Sequence, residues 1–133
     1  NHQKMVELRQ QKVDVIANDI ALAKAFGKGN GDLLVIGWGG THGALRSAVE
    51  TAQEKGMSVS HLHLRHLNPL PRNLGEILVK FQKVMIAELN MGQLAAIIRS
   101  KFLVDAVSLN KIQGKPFTIT EVFNKITELV KGA

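Results

Sequence analysis

The sequence contains no cysteine. That excludes a disulfide framework and any cysteine-ligated iron–sulfur cluster on this chain, so a cluster, if the protein works with electrons, lies on another chain. Tyrosine is also absent and tryptophan occurs once. Base stacking therefore has few platforms, and the 17 Lys and Arg residues are spread along the chain instead of gathered in one patch. The net charge of +6 then reads as a solubilising surface or one that faces an acidic neighbour, and nucleic acid is not expected as a partner. No apolar run approaches the ~18 residues of a membrane span. Nothing resembles a signal peptide, so a cytoplasmic protein without membrane association is expected. The chain opens on Asn1, which reads as a cut from a longer polypeptide.

What is present fits one α/β domain: 133 residues, 45% of them apolar, suffice for one core without a metal or disulfide. Residues 2–26 carry Met5, Leu8, Val13, Ile16, Ile20, Ala23 and Phe26 at intervals of three to five, and this predicts a long helix. Gly27, Gly29 and Gly31 then break the pattern. Residues 1–31 are accordingly expected to be a helix and glycine linker from a preceding domain, and residues 32–133 the α/β domain. Within the latter, short apolar runs predict strands at Leu33–Ile36, Val59–Leu64, Val84–Ala87 and Ala106–Leu109. Helices are expected through Ala44–Ala52, Leu74–Phe81, Leu94–Phe102 and Thr118–Val130. Asn73 with Glu76, Asn90 with Gln93 and Thr118 with Glu121 have capping-box spacing. Strands alternating with helices imply right-handed crossovers and a mainly parallel, doubly wound sheet with helices on both faces.

In such a sheet ligands sit beyond the carboxyl ends of the strands, where the chain leaves two neighbouring strands in opposite directions. If the first and third strands are neighbours, the loops at Gly39–His42 and Asn90–Gly92 share that crevice. The first loop reads Gly37-Trp38-Gly39-Gly40-Thr41-His42-Gly43. Its G-x-G-x-x-x-G spacing departs from the dinucleotide fingerprint, and Arg65 stands where an acidic ribose partner is expected. A tight strand-to-helix turn with Thr41 as N-cap explains the same glycines. His61 and His63 alternate onto one strand face, where two imidazoles suit a metal, but no third ligand stands at a telling spacing, so no metal site is expected. Glu88 ends a buried strand and must find a partner or take up a proton. No nucleophile–base–orienter set, carboxylate pair or P-loop is visible, so no catalytic residue is assigned.

Four stretches, taken in order, resemble the alpha subunit of 2-oxoacid:ferredoxin oxidoreductases: Leu33–Gly43, His61–Pro71, Ala87–Leu94 and Asp105–Phe117. The last two are closest to the 2-oxoglutarate branch. The resemblance implies the C-terminal domain of that subunit, related to the transketolase C-terminal domain. The fold would be a three-layer α/β/α sandwich with one further strand antiparallel to the rest. It implies an enzyme that oxidatively decarboxylates a 2-oxoacid on thiamine diphosphate with Mg2+, passes electrons through an iron–sulfur cluster to ferredoxin and forms an acyl-CoA. None of these cofactors would be bound by this chain, whose partners would be the preceding alpha-subunit domain, the beta subunit and, for the first helix, a second copy in a homodimer. Gly39, Thr41, Asn90, Gly92 and Gln93 match family motif positions and would line the active-site wall or an interface. Gly40 and His42 stand where the family usually has Ser and Tyr, so His42 at that edge would bring different chemistry. The alternatives are a free-standing nucleotide-binding module using Gly37–Gly43 and an interaction domain without a ligand.

Overall fold

The computed structural model describes residues 21–67, 69–89, 92–111 and 115–131. The four apolar runs become strands β1 (Gly31–Trp38), β2 (Val59–Leu64), β3 (Phe81–Glu88) and β4 (Val107–Asn110), interleaved with helices α1 (His42–Glu54), α2 (Leu74–Leu78), α3 (Gln93–Phe102) and α4 (Ile119–Lys131). The sheet order is β2-β1-β3-β4, and all three pairings are parallel. Successive residues of a strand point to opposite faces, and this one alternation builds two cores. Leu34, Ile36, Leu62, Leu64, Val84 and Ile86 pack with Leu74, Leu78, Leu94 and Ile98 from α2 and α3. Leu33, Val35, Met85 and Ala87 pack with Leu45, Ala48, Val49, Ala52, Val122 and Ile126 from α1 and α4. Leu33 to Ile36 are all fully buried, which is why that stretch reads as a continuous apolar run. Each such large side chain contributes roughly 1.5–3 kcal/mol by leaving water.

The architecture is the expected three-layer α/β/α sandwich with a parallel, doubly wound sheet. Three local expectations are corrected. The long first helix does not reach Phe26: residues 21–25 are not helical, and Phe26 forms an isolated antiparallel bridge to His61. The backbone partners lie far along the chain. Ala23 gives its N–H to Asn73 Oδ1 and receives Asn73 Nδ2 on its carbonyl, both at 2.8 Å. Phe26 exchanges two backbone hydrogen bonds with His61, at 2.7 and 3.1 Å. The same clamp removes Asn73 from its expected capping pair with Glu76, for it stands at the N-cap position of α2 without a side-chain cap bond. Phe81 opens β3 instead of closing α2. By contrast, Thr118 Oγ1 accepts from the Glu121 amide at 3.1 Å, as the capping-box spacing predicts. Among the described residues, the Phe26 bridge at the outer edge of β2 is the only antiparallel pairing. The part of the first-helix expectation that falls on residues 1–20, including Ile16 and Ile20, lies outside the described residues.

Candidate functional site

The central strands β1 and β3 are neighbours, with Gly37 opposite Ala87. From β1 the chain passes through α1 to β2 on one side; from β3 it passes through α3 to β4 on the other. Since α1 and α3 cover opposite faces, the carboxyl ends of β1 and β3 form the crevice where open α/β sheets place ligands. Gly39, Thr41 and His42 stand on one lip, and Gly92 and Gln93 on the other; Asn90 lies outside the described residues.

The first lip is shaped by close packing. A Cβ on Gly37 would lie 2.6 Å from Thr41 Oγ1 and run into the Leu45 side chain, so glycine is what lets α1 approach β1. Gly39 has φ +66°, a backbone state that suits glycine, and open space around it. A 3-10 turn, Gly39–Thr41, then leads into α1. Thr41 occupies the N-cap position but makes no side-chain cap bond. It is buried, and its hydroxyl donates to the Trp38 carbonyl at 3.1 Å. Thr41 thus stands at the expected N-cap position, but its hydroxyl holds the turn together from inside instead of capping the helix.

The second lip is organised by Glu88, which is fully buried at the end of β3. Its Oε1 accepts from the Trp38 indole N–H at 2.9 Å and from the Leu94 amide at 2.7 Å, while Oε2 accepts from the Ala95 amide at 3.1 Å. A carboxylate thus closes the positive end of α3 and ties it to the end of β1, which answers how this buried acid is satisfied. The N-cap residue of α3 is Gly92, at φ +83°, and Glu88 supplies acceptors to the first turn; the Asn90 half of the Asn90–Gln93 capping expectation lies outside the described residues.

Beside the first lip, three imidazoles meet on the α1 face of β2. The ring centroids are 4.9 Å apart for His42–His63, 5.4 Å for His42–His61 and 6.3 Å for His61–His63. His66, later in the same motif, is exposed. His61 is fully buried, and its Nδ1 accepts from Arg46 Nε at 3.2 Å. Arg46 in turn lies 3.9 Å over the Phe26 ring. Burial, then Arg46, then the other two histidines push the His61 pKa down to about 3. Burial also lowers His63, helped by His42, Arg65 and Arg46. His61 Nε2 and His63 Nδ1 are buried without a hydrogen-bond partner. Sequence alternation finds the His61–His63 pair but not His42. The signal for His42 is tertiary: β2 lies beside β1, with His63 opposite Gly37, which brings the start of α1 over the pair. Arg46, at i+4 from His42, shares its helix face. Among the described residues no group of three His, Cys, Asp or Glu is placed to hold a metal ion, and no helix is long and apolar enough to cross a membrane.

At the opposite, amino end of the sheet a cavity of about 420 Å³ is lined by Gly27, Lys28, Gln53, Gly56, Ser58 and Ser60, among others. It contains none of the residues that the sequence marks as site candidates.

Comparison with known proteins agrees with this architecture. A family model described as pyruvate:ferredoxin oxidoreductase core domain II matches residues 31–122. The 2-oxoglutarate oxidoreductase subunit KorA of Mycobacterium tuberculosis is 43% identical over 133 residues, covering 99% of this chain and 20% of that protein. Among solved structures, a 2-oxoglutarate:ferredoxin oxidoreductase from Magnetococcus marinus, with 2-oxoglutarate, coenzyme A and succinyl-CoA bound, superposes with a TM-score of 0.88 at 26% identity. The match covers 97% of this chain and 23% of that one. An inactive beta4 tetramer of a split-gene transketolase shares the fold, with a TM-score of 0.63 at 14% identity over 81% of this chain and 41% of that one. This chain spans about a fifth of the length of the mycobacterial relative.

Proposed function

Because the chain belongs to the pyruvate:ferredoxin oxidoreductase core domain II family, we propose that it serves as the C-terminal domain of the alpha subunit of a 2-oxoglutarate:ferredoxin oxidoreductase. The observation that carries this reading is likeness along nearly the whole chain to a 2-oxoglutarate oxidoreductase subunit. Its role in the CoA-dependent oxidative decarboxylation is to supply subunit interfaces and part of the wall around the reaction site.

The chain's own residues do not fit the cofactors that such an enzyme uses. Without cysteine it cannot ligate an iron–sulfur cluster through thiolates. Among the described residues its one buried carboxylate at the crevice, Glu88, is already occupied by an indole and two backbone amides, which does not suit Mg2+ and a diphosphate there. Thiamine diphosphate, Mg2+, the cluster and CoA are accordingly assigned to the preceding alpha-subunit domain and the beta subunit, with ferredoxin as the electron acceptor. The edge formed by Gly39, Thr41, His42, Asn90, Gly92 and Gln93 is the surface that meets those parts.

The test is to co-express the full-length alpha subunit carrying this chain with its beta subunit and assay reduction of ferredoxin or a viologen. Reduction that depends on 2-oxoglutarate and CoA is expected, and the isolated chain should give none. Turnover of a different 2-oxoacid alone would overturn the substrate; absence of any 2-oxoacid-dependent reduction in a folded, cofactor-loaded complex would overturn the class.

A further inference from the structure

We propose that His42, His61, His63 and Arg65, backed by Arg46, form a binding site for a phosphate or pyrophosphate group of a small molecule at the start of α1. This inference does not depend on the enzyme assignment, because it stands on the cluster itself.

Five basic side chains gather here, and among the described residues none of them is ion-paired with an acidic side chain. His42 opens α1, His61 and His63 lie on β2 beneath it, and Arg65 follows β2 directly. Arg46 and Arg65 both act electrostatically on His63. Among the described residues no ion pair involves either arginine. The tautomer of His61 is fixed by its neighbour. Arg46 donates to Nδ1, so Nδ1 presents its lone pair and the proton of neutral His61 sits on Nε2. That N–H is fully buried and without an acceptor, an arrangement native interiors avoid unless something else supplies the acceptor. His63 Nδ1 is a second buried ring nitrogen without a partner. Exposed His42 covers both rings, so rotation of one surface side chain opens the cluster.

The crevice has two helix starts, and they are treated differently. The positive end of α3 is filled by the Glu88 carboxylate. The start of α1 has no side-chain cap, and Gly39, Gly40 and Gly43 have open space where a Cβ would stand. Backbone N–H groups at such a start can donate to an anion. A transition metal is the other occupant three imidazoles suggest, and the geometry disfavours it. A metal needs a lone pair from each ring, but Arg46 holds the His61 lone pair at Nδ1 and leaves Nε2 protonated. Two guanidinium groups nearby repel a cation and attract an oxyanion. A phosphate presents acceptors in several directions at once, which suits donors arriving from β2, from α1 and from Arg65.

The experiment uses the uniformly 15N-labelled chain titrated with sodium pyrophosphate at constant ionic strength, with parallel titrations of inorganic phosphate, succinate and zinc chloride. Saturable shifts are expected at the amides of Gly39–Gly43 and in the imidazole signals of His61 and His63. Arg65→Gln and His42→Gln alter exposed side chains and should leave the fold intact by circular dichroism while each weakens pyrophosphate about tenfold or more. Three results overturn the proposal: no saturable response at these groups, equal affinity in the two folded variants, or a succinate response as strong as that to pyrophosphate. One-to-one zinc binding through the three rings in preference to pyrophosphate overturns it in favour of a metal site.

Discussion

Single residues hold this crevice through groups distant in sequence. Glu88 and Trp38 are fifty residues apart, yet their hydrogen bond joins the ends of β1 and β3. Replacing Glu88 with Ala leaves the buried amides of Leu94 and Ala95 without acceptors and takes a charge from the start of a helix. Each unsatisfied buried donor costs about 1–3 kcal/mol, so Glu88→Ala should destabilise the chain by about 3 kcal/mol, and Glu88→Gln, which keeps one carbonyl oxygen, by less. Urea unfolding followed by Trp38, the single tryptophan, measures both; a loss below about 1 kcal/mol in Glu88→Ala would dismiss the clamp. His61 makes a different prediction. Its folded pKa of about 3 lies below the ordinary 6.5, so the unfolded chain binds the extra proton and stability falls as pH drops through this window. The slope for one such group is about 1.4 kcal/mol per pH unit, and the lowered pKa of His63 acts in the same sense. Glu121, whose pKa lies below the ordinary 4.5, loses its contribution only as pH falls beneath that value. Between pH 4.5 and 6.5 the histidines therefore dominate, and His61→Gln should flatten the stability profile there. An unchanged slope would mean that His61 stays protonatable in the folded chain.

At the scale of elements, α3 ends on Leu103, whose φ of 56° is left-handed and whose side chain is 88% exposed. Its amide bonds to the Arg99 carbonyl, the closing bond of a left-handed helix cap in which glycine is the usual residue. The left-handed state costs a leucine about 1–2 kcal/mol, and glycine gives part of that back through its freer unfolded chain. Leu103→Gly should thus raise stability by about 0.5–1 kcal/mol, seen as a higher urea midpoint at unchanged slope; a lower midpoint would show that the leucine packs usefully. The same scale shows what the sequence makes legible. Four strands, their order of appearance and the helices between them follow from local apolar runs, most clearly at Leu33–Ile36, where burial on both faces leaves no polar position. Residues 21–26 were not legible as non-helical, because their apolar spacing is helix-like while Asn73 and His61 decide their backbone bonds from a distance. The cap of α3 escaped for a related reason. Capping-box spacing looks three residues along the chain, whereas Glu88 reaches Leu94 and Ala95 from the strand end, six and seven residues before them. His42 joined the histidine pair only through the register of β1 against β2.

At the scale of the whole molecule, helices pack on both faces of the sheet, and the carboxyl edge carries the two lips of the crevice. Capping by Glu88 sharpens what the polar residues on the second lip do. The Leu94 and Ala95 amides are taken by Glu88, so truncating Gln93 leaves that cap in place. Gln93 itself is exposed; Asn90, two residues past Glu88, lies outside the described residues. If this edge meets the reaction site in the full enzyme, Gln93→Ala and Asn90→Ala should lower kcat with 2-oxoglutarate by about tenfold or more, the size of one lost positioning contact of about 1.4 kcal/mol. Stability of the same variants should fall by less than the about 1.4 kcal/mol that a tenfold loss of turnover represents. Ser100→Ala, on the exposed side of α3, is the control and should change neither. The comparison is made in the assembled, cofactor-loaded complex, with thermal melting run beside the rate assay. Unchanged turnover in both lip variants would remove this edge from the reaction site, and a loss of turnover matched by a loss of stability would reduce Asn90 and Gln93 to structural roles.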